Sequence, residues 1–464
     1  MARLHDLPAV ELAARLARRE LGAEALLRAC VERIDEHEAQ VQAFVHFDRG
    51  TAIAQARALD AGPWRGPLHG LPLGVKDLID TADLPTGYGS AVYAGHRPAA
   101  DAAAVALCRE AGAVVAGKTV STEFAYFHPG ATRNPHDPLH TPGGSSSGSA
   151  AAVAAGMLPL ALGTQTAGSI IRPAAFCGVV GYKPTLGRVP RAGVKSLSES
   201  LDVVGGFGRS VRDVALLGAV LTGDARLLAP HDGSVPRIGL CTTPEWPLAD
   251  ADTHGAWQLA IQRLGAAPLS VVVWPAGLPD LVVLQKAVMA FEMARALSHE
   301  RLRQRSRLSD KLVGLLDEGI AIDGASHATN LALVALARQR RWRCSMASTC
   351  CWRPAPSAKH LPAWLPPATR CSAVAGRYLA CLLCTCRSRR GGTACLSACS
   401  WWATMATTPG CWPPRTGVSA GFLSRQHQQQ VVRGHRYTFL QAQTSGRSLL
   451  QHVRQPAQAP GGVA

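Results

Sequence analysis

PGGSSSGSAAAVAAGMLPLALGTQTAGSIIRPAAFCGVVGYKPT, residues 142–185, carries no charged side chain before Arg172. A Gly/Ser run opens it. Small apolar residues then follow at helical density over Ser149–Ala155, and Leu158–Leu162 is an apolar run of strand length. A helix leading into a strand, closed by a second Gly/Thr/Ser turn before Ser169, is a unit of an α/β sheet. The uncharged run from Thr141 to Ile171 is too rich in Gly, Ser, Thr and Pro to satisfy its polar groups in lipid, so it predicts a buried loop and helix. By itself a Gly/Ser loop before a helix reads as an N-cap or an anion cradle, and this one lacks the Gly-Lys-Ser/Thr ending of a phosphate loop.

The same alternation extends outward in both directions. Upstream, GPLHGLPLGVKDLID (Gly66–Asp80) predicts a strand over Leu71–Val75 that runs into Lys76, and GAVVAGKTVSTEFA (Gly112–Ala125) predicts another over Ala113–Ala116, with a helix over Ala102–Ala111 between them. Apolar spacing of three to four predicts helices in Ala9–Arg18, Ala23–Ile34 and Ala52–Leu59. Downstream, strands are expected at Arg237–Cys241 and Leu269–Val273, and helices between Ala276 and Leu336. The whole predicts a sheet sandwiched by helices.

These segments, in this order, resemble the amidase signature family, whose pattern is a GGSSxGS loop, a GT-x-T-x-G-S turn, RPA, a glycine pair and KPT. The likeness covers roughly residues 5–220, with 69 residues from Lys76 to Ser145 and 24 from Ser145 to Ser169. It implies the family's α/β fold, a mixed central sheet covered by helices on both faces. Carried over residue by residue, it makes Ser169 the nucleophile, Ser145 the bridging serine on a cis peptide and Lys76 the base. It places an oxyanion hole at the backbone N–H groups of Thr166, Ala167 and Gly168.

The implied chemistry is coherent. A serine hydroxyl needs a neighbour to remove its proton, and lysine does so only when neutral, which burial beside residues such as Leu73 and Val75 favours. Gln165 and Ala167 stand where many members have aspartate and glycine. Arg172 lies three places after Ser169 rather than two, a pattern closer to the malonamidase-like branch than to the A subunit of the aminoacyl-tRNA amidotransferase. Arg172 either pairs with a substrate carboxylate or holds its loop by hydrogen bonds. The expected reaction is hydrolysis of a small-molecule amide, without metal or cofactor. Rival readings are an inactive product of a damaged gene and an amidotransferase subunit.

Charge divides the chain. The formal charge of +16 suggests a nucleic-acid partner, yet 17 of the 48 Lys and Arg lie beyond Asp323, where no Asp or Glu occurs. Up to Asp323, 31 basic residues meet 32 acidic ones. Ten of the 14 cysteines also fall after residue 340. Read one base out of register with GC-rich codons the residues permit, Ser348–Arg353 becomes DVLLA and Arg390–Ala403 becomes GRHGLPVGVQLVG, which resemble the family's later strands. The expected organisation is therefore a catalytic domain over 1–340, with a helical N-terminal segment 1–62, a core 63–220 and a helix and strand region 221–340. A tail, 341–464, is expected to be out of frame and not native-like. Scattered early cysteines and a charged, helical N-terminus lead to a cytoplasmic expectation, with no nucleic-acid or membrane partner and a homodimer compatible with the pattern.

Overall fold

Apolar stripes at the N-terminus become α1 (Ala9–Ala17) and α2 (Ala23–Val41), which bury Leu12, Leu16, Leu26, Leu27 and Ile34. After β1 (Phe44–Phe47), Asp48 caps α3 (Arg49–Ala61) by accepting from the Thr51 N–H. The core continues through β2 (Pro72–Lys76), α4 (Ala103–Glu110), β3 (Val114–Thr119), α5 (Ser147–Ala154), β4 (Leu160–Gln165) and α6 (Ile171–Cys177). It closes with β5 (Val180–Tyr182), β6 (Val203–Gly208) and α7 (Val211–Thr222), whose Ser210 and Asp213 form a capping box.

The computed structural model describes residues 3–229, 235, 237–265, 267–345, 350–353 and 383–386, all within one compact unit, Met1–Cys411. Six strands form a mixed sheet in the order β1-β3-β2-β4-β6-β5. Its centre, β3-β2-β4, is parallel, and β1, β6 and β5 are antiparallel to their neighbours. Strands β2, β3, β4 and β6 are buried at every position, as strands covered on both faces must be. Leu73, Val75 and Val115 pack with α1 to α4, whereas Ala161 and Phe207 pack with α5 and α6. The mixed sheet between helices matches the expectation.

The local pattern does not mark β1, α6, β5, β6, α7 or the later helix Ala251–Leu264. For β6, VVGGFG, the reason is physical: its glycines erase the alternation that marks a strand, yet packing requires them. A Cβ on Gly205 would stand 2.1 Å from the Tyr182 carbonyl oxygen, and one on Gly206 2.6 Å from that of Ala161.

Beyond the core, β7 (Ile238–Leu240), α8 (Ala251–Leu264) and β8 (Leu269–Val271) form a parallel βαβ unit. Helices α9 (Leu281–Ala296), α10 (Ser298–Arg303), α11 (Asp310–Ala321) and α12 (Gly324–Ser345) follow. Met293, Leu312 and Leu316 of this group pack on Leu78, Phe124 and Leu197 of the core. Strand β9 (Cys350–Arg353) pairs parallel with β7, and β10 (Leu383–Cys386) antiparallel with β9. The remainder of the tail, on which the out-of-frame expectation bears, lies outside the described residues. Among those residues no single helix is long and apolar enough to cross a membrane.

Candidate active site

Lys76 ends β2, the central strand, and is wholly buried. Its Nζ donates to Ser145 Oγ at 2.8 Å and to Thr164 Oγ1 at 2.7 Å, so both partners are neutral hydroxyls. Burial above all, opposed by Asp202 and aided by the Arg172 charge, brings its pKa down to about 7. At that value a large share of the side chain is the neutral amine near neutrality.

Ser145 stands in the loop before α5, and the Gly144–Ser145 peptide is cis. Gly143 allows the loop its path: φ is +74°, and a Cβ there would lie 3.1 Å from Pro173 Cα. The loop is tied on three sides. Arg172 donates to the Gly144 carbonyl from Nε (3.0 Å) and Nη2 (2.8 Å), and the Thr122 N–H donates to the Ser145 carbonyl (3.2 Å). The Ser146 N–H donates to the Ser169 carbonyl at 3.3 Å, which joins the two serine-bearing segments.

Ser169 sits between β4 and α6 and is 6% exposed. Gln165 shapes the turn from inside. Its Oε1 accepts from the N–H groups of Ile170 (2.9 Å) and Ile171 (3.0 Å), while its Nε2 donates to the Ala167 carbonyl (3.0 Å). An aspartate there would lack that donor. Thr166 Oγ1 donates to Asp202 at 2.6 Å. Among the described residues, the N–H groups of Thr166, Ala167 and Gly168 donate to no protein acceptor. Three free donors in succession at one turn are available to a developing negative charge.

The structure therefore links Lys76, Ser145, Arg172 and the Ser169 turn through hydrogen bonds to the one loop before α5. For Arg172 it gives the loop-holding bonds: Nε and Nη2 are committed to Gly144, and burial lowers its pKa to about 10. Its Nη1 would lie 3.7 Å from a Cβ at Gly168, beside the turn. Thr164, Thr122, Asp202 and the clamp by Gln165 were not foreseen as parts of the site. Thr164 and Thr166 sit two apart in GTQT, a spacing that was readable; Asp202 lies far along the chain with no spacing to reveal it. Among the described residues no group of three His, Cys, Asp or Glu side chains is placed to hold a metal ion.

With this geometry in hand, a model of the Amidase family matches residues 25–315. The A subunit of the glutamyl-tRNA(Gln) amidotransferase of Acidothermus cellulolyticus is 47% identical over 241 residues, which is 50% of this chain and 48% of that protein. The chain spans about half the length of the curated relatives it matches. A crystal structure of an amidase superposes with a TM-score of 0.69 at 31% identity, covering 75% of this chain and 81% of the other. The peptide amidase of Stenotrophomonas maltophilia gives 0.62 at 30%, covering 75% and 83%.

Proposed function

The chain belongs to the Amidase family, and from that premise we propose that it hydrolyses a carbon–nitrogen amide bond through an acyl-enzyme on Ser169. Neutral Lys76 takes a proton from Ser145, which takes one from Ser169 as the Ser169 oxygen attacks the amide carbon. The tetrahedral oxyanion meets the N–H groups of Thr166, Ala167 and Gly168, each such donor contributing roughly 3 kcal/mol to the transition state. Collapse breaks the carbon–nitrogen bond, and the proton returns through Ser145 to the leaving amine. Water then attacks the acyl-enzyme by the same route, releasing the acid.

The observation that carries this reading is the contact from fully buried Lys76 to Ser145, 2.8 Å long, on a loop tied by hydrogen bond to Ser169. The substrate is a small linear amide, and the free side of Arg172 suits one bearing a carboxylate. Release of amine or ammonia from a panel of such amides tests the proposal. Ser169→Ala is expected to lower turnover by roughly 10⁴-fold with the fold unchanged. Turnover near the parent's would remove Ser169 from the mechanism.

A second reading, as the A subunit of an amidotransferase, rests on the relatives matched at 42–47% identity. The Gln165 and Arg172 pattern speaks for the hydrolase instead. Stoichiometric partner chains copurifying with the protein, and ammonia passed to a second substrate rather than released, would decide for the amidotransferase.

We propose the domain organisation of a catalytic region over 1–340 followed by 341–464 as an out-of-frame tail. The family match ends at residue 315, and no Asp or Glu follows Asp323. A stretch without carboxylates is foreign to folded domains, where both charge signs occur. Restoring the frame near Arg340 is expected to raise the soluble yield several-fold, because apolar edges of the chain regain partners. Nucleotide sequence confirming the frame, with equal soluble yield from both forms, would reverse this.

A further inference from the structure

We infer that Asp202 is a positioning residue for this site, holding the Thr166 turn with one carboxylate oxygen and the 196–198 loop with the other. The inference rests on the serine–lysine reading of the site. Strand register explains how a residue so distant in sequence arrives there. In the antiparallel β4–β6 ladder Thr164 faces Val204 and Gln165 faces Val203, so one further step sets Thr166 opposite Asp202. The residue is 5% exposed, and its two oxygens divide the work.

Oδ1 accepts from Thr166 Oγ1 at 2.6 Å. Oδ2 accepts from the N–H groups of Leu197 (2.8 Å) and Ser198 (3.0 Å) and from Ser196 Oγ (3.2 Å). Backbone N–H groups only donate, so this set fixes the orientation of the carboxylate. The 196–200 loop is anchored in turn by Glu292 of α9, which accepts from Ser198 Oγ and from the Ser200 N–H at 3.1 Å. A rigid loop thus fixes the carboxylate, and the carboxylate fixes the turn that carries the free N–H groups.

The charges that face Lys76 are few. Arg172 contributes from α6 and Asp202 from the residue before β6, with opposite signs. Strand β4 and the loop before α5 present hydroxyls, Thr164 and Ser145. Helix α2 turns apolar residues and the Cys30 thiol inward, that thiol being pushed up to about 12 by burial. Lys118 and Asp77 interact with each other, Lys118 being registered with Val75 and so on the opposite face of the sheet from Lys76. Asp202 is therefore the carboxylate that keeps Lys76 from losing its proton too readily. Too low a pKa would leave no ammonium to return a proton to the leaving amine.

The test uses the full chain and a fluorophosphonate probe. Its phosphorus bonds to Ser169 Oγ as fluoride leaves and the serine proton passes through Ser145 to Lys76. In the parent, the labelling rate should rise through pH about 7 as Lys76 becomes neutral. Asp202→Asn is expected to move that midpoint acidward by roughly one unit and to lower the plateau. Thr166→Val, which keeps the charge and cuts only the link to the turn, should lower the plateau several-fold with the midpoint in place. An unmoved midpoint in Asp202→Asn, or an undiminished plateau in Thr166→Val, overturns the inference. Isotope-edited NMR titration of the Lys76 Nζ reads the same coupling without any nucleophile. Absence of labelling at Ser169 in the parent thus rejects the serine reading alone, while a Lys76 titration indifferent to Asp202→Asn rejects the role given to Asp202.

Discussion

Lys76 and Lys118 leave adjacent strands of one sheet, both buried, and only Lys76 has neutral hydroxyls as its sole hydrogen-bond partners. Burial lowers the pKa of each, to about 7 for Lys76 and about 8 for Lys118. The neighbours differ. Lys76 meets two hydroxyls, which donate or accept as the amine changes state. Lys118 donates to the Ile79 carbonyl and to Thr86 Oγ1, and Asp77 and Asp80 support its charge. A neutral amine would turn its lone pair on a carbonyl oxygen and leave those carboxylates unbalanced. Burial therefore makes a lysine available as a base only where the surrounding groups tolerate both of its protonation states.

Exchanging each lysine for an apolar side chain of similar length sharpens this contrast. Lys76→Met is expected to lower turnover by roughly 10⁴-fold, as far as the loss of Ser169, because residues acting as a unit are not additive. Lys118→Met should instead lower stability by about 3 kcal/mol through the acceptors and carboxylates it strands. The protein that remains folded should turn over near the parent rate. Denaturant midpoints and turnover measured on the same samples check both, and a folded Lys118→Met protein without activity would break the comparison.

A smaller effect is expected at Arg172, which borders Lys76 on the site side. Arg172→Gln should raise KM for amides bearing a carboxylate by about tenfold, the value of one charge-assisted hydrogen bond. Neutral amides should change less. If kcat falls equally for both substrate types, the two bonds to Gly144 are the whole of the arginine's role.

The strongly patterned helices were legible because each buries one stripe: α1, α2 and α3 begin within three residues of where their apolar spacing begins. Strands β2, β3 and β4 were legible as apolar runs between turn residues, although each extends one to three residues further into polar ones, to Lys76, Thr119 and Gln165. A polar residue at the end of a buried strand has to find its partners from other segments, as Lys76, Thr119 and Gln165 do. Strands β1, β5 and β6 were not legible, being short or glycine-rich and made strands by their neighbours.

By itself the sequence determined helices α1 to α5 and strands β2, β3 and β4, because local spacing specifies these, and its motifs carried the family resemblance that nominated Lys76, Ser145, Ser169 and the 166–168 turn. It also determined the break in composition after Asp323, which is a matter of counting. Only the tertiary structure decided what each of those residues touches. Pairing β6 antiparallel to β4 brings Asp202 to Thr166, and packing α6 beneath the 142–146 loop commits Arg172 to Gly144. Such contacts join segments 28 to 88 residues apart, as between Arg172 and Gly144 or Lys76 and Thr164. No local rule encodes them, since strand register and helix packing are settled by the burial of the whole core.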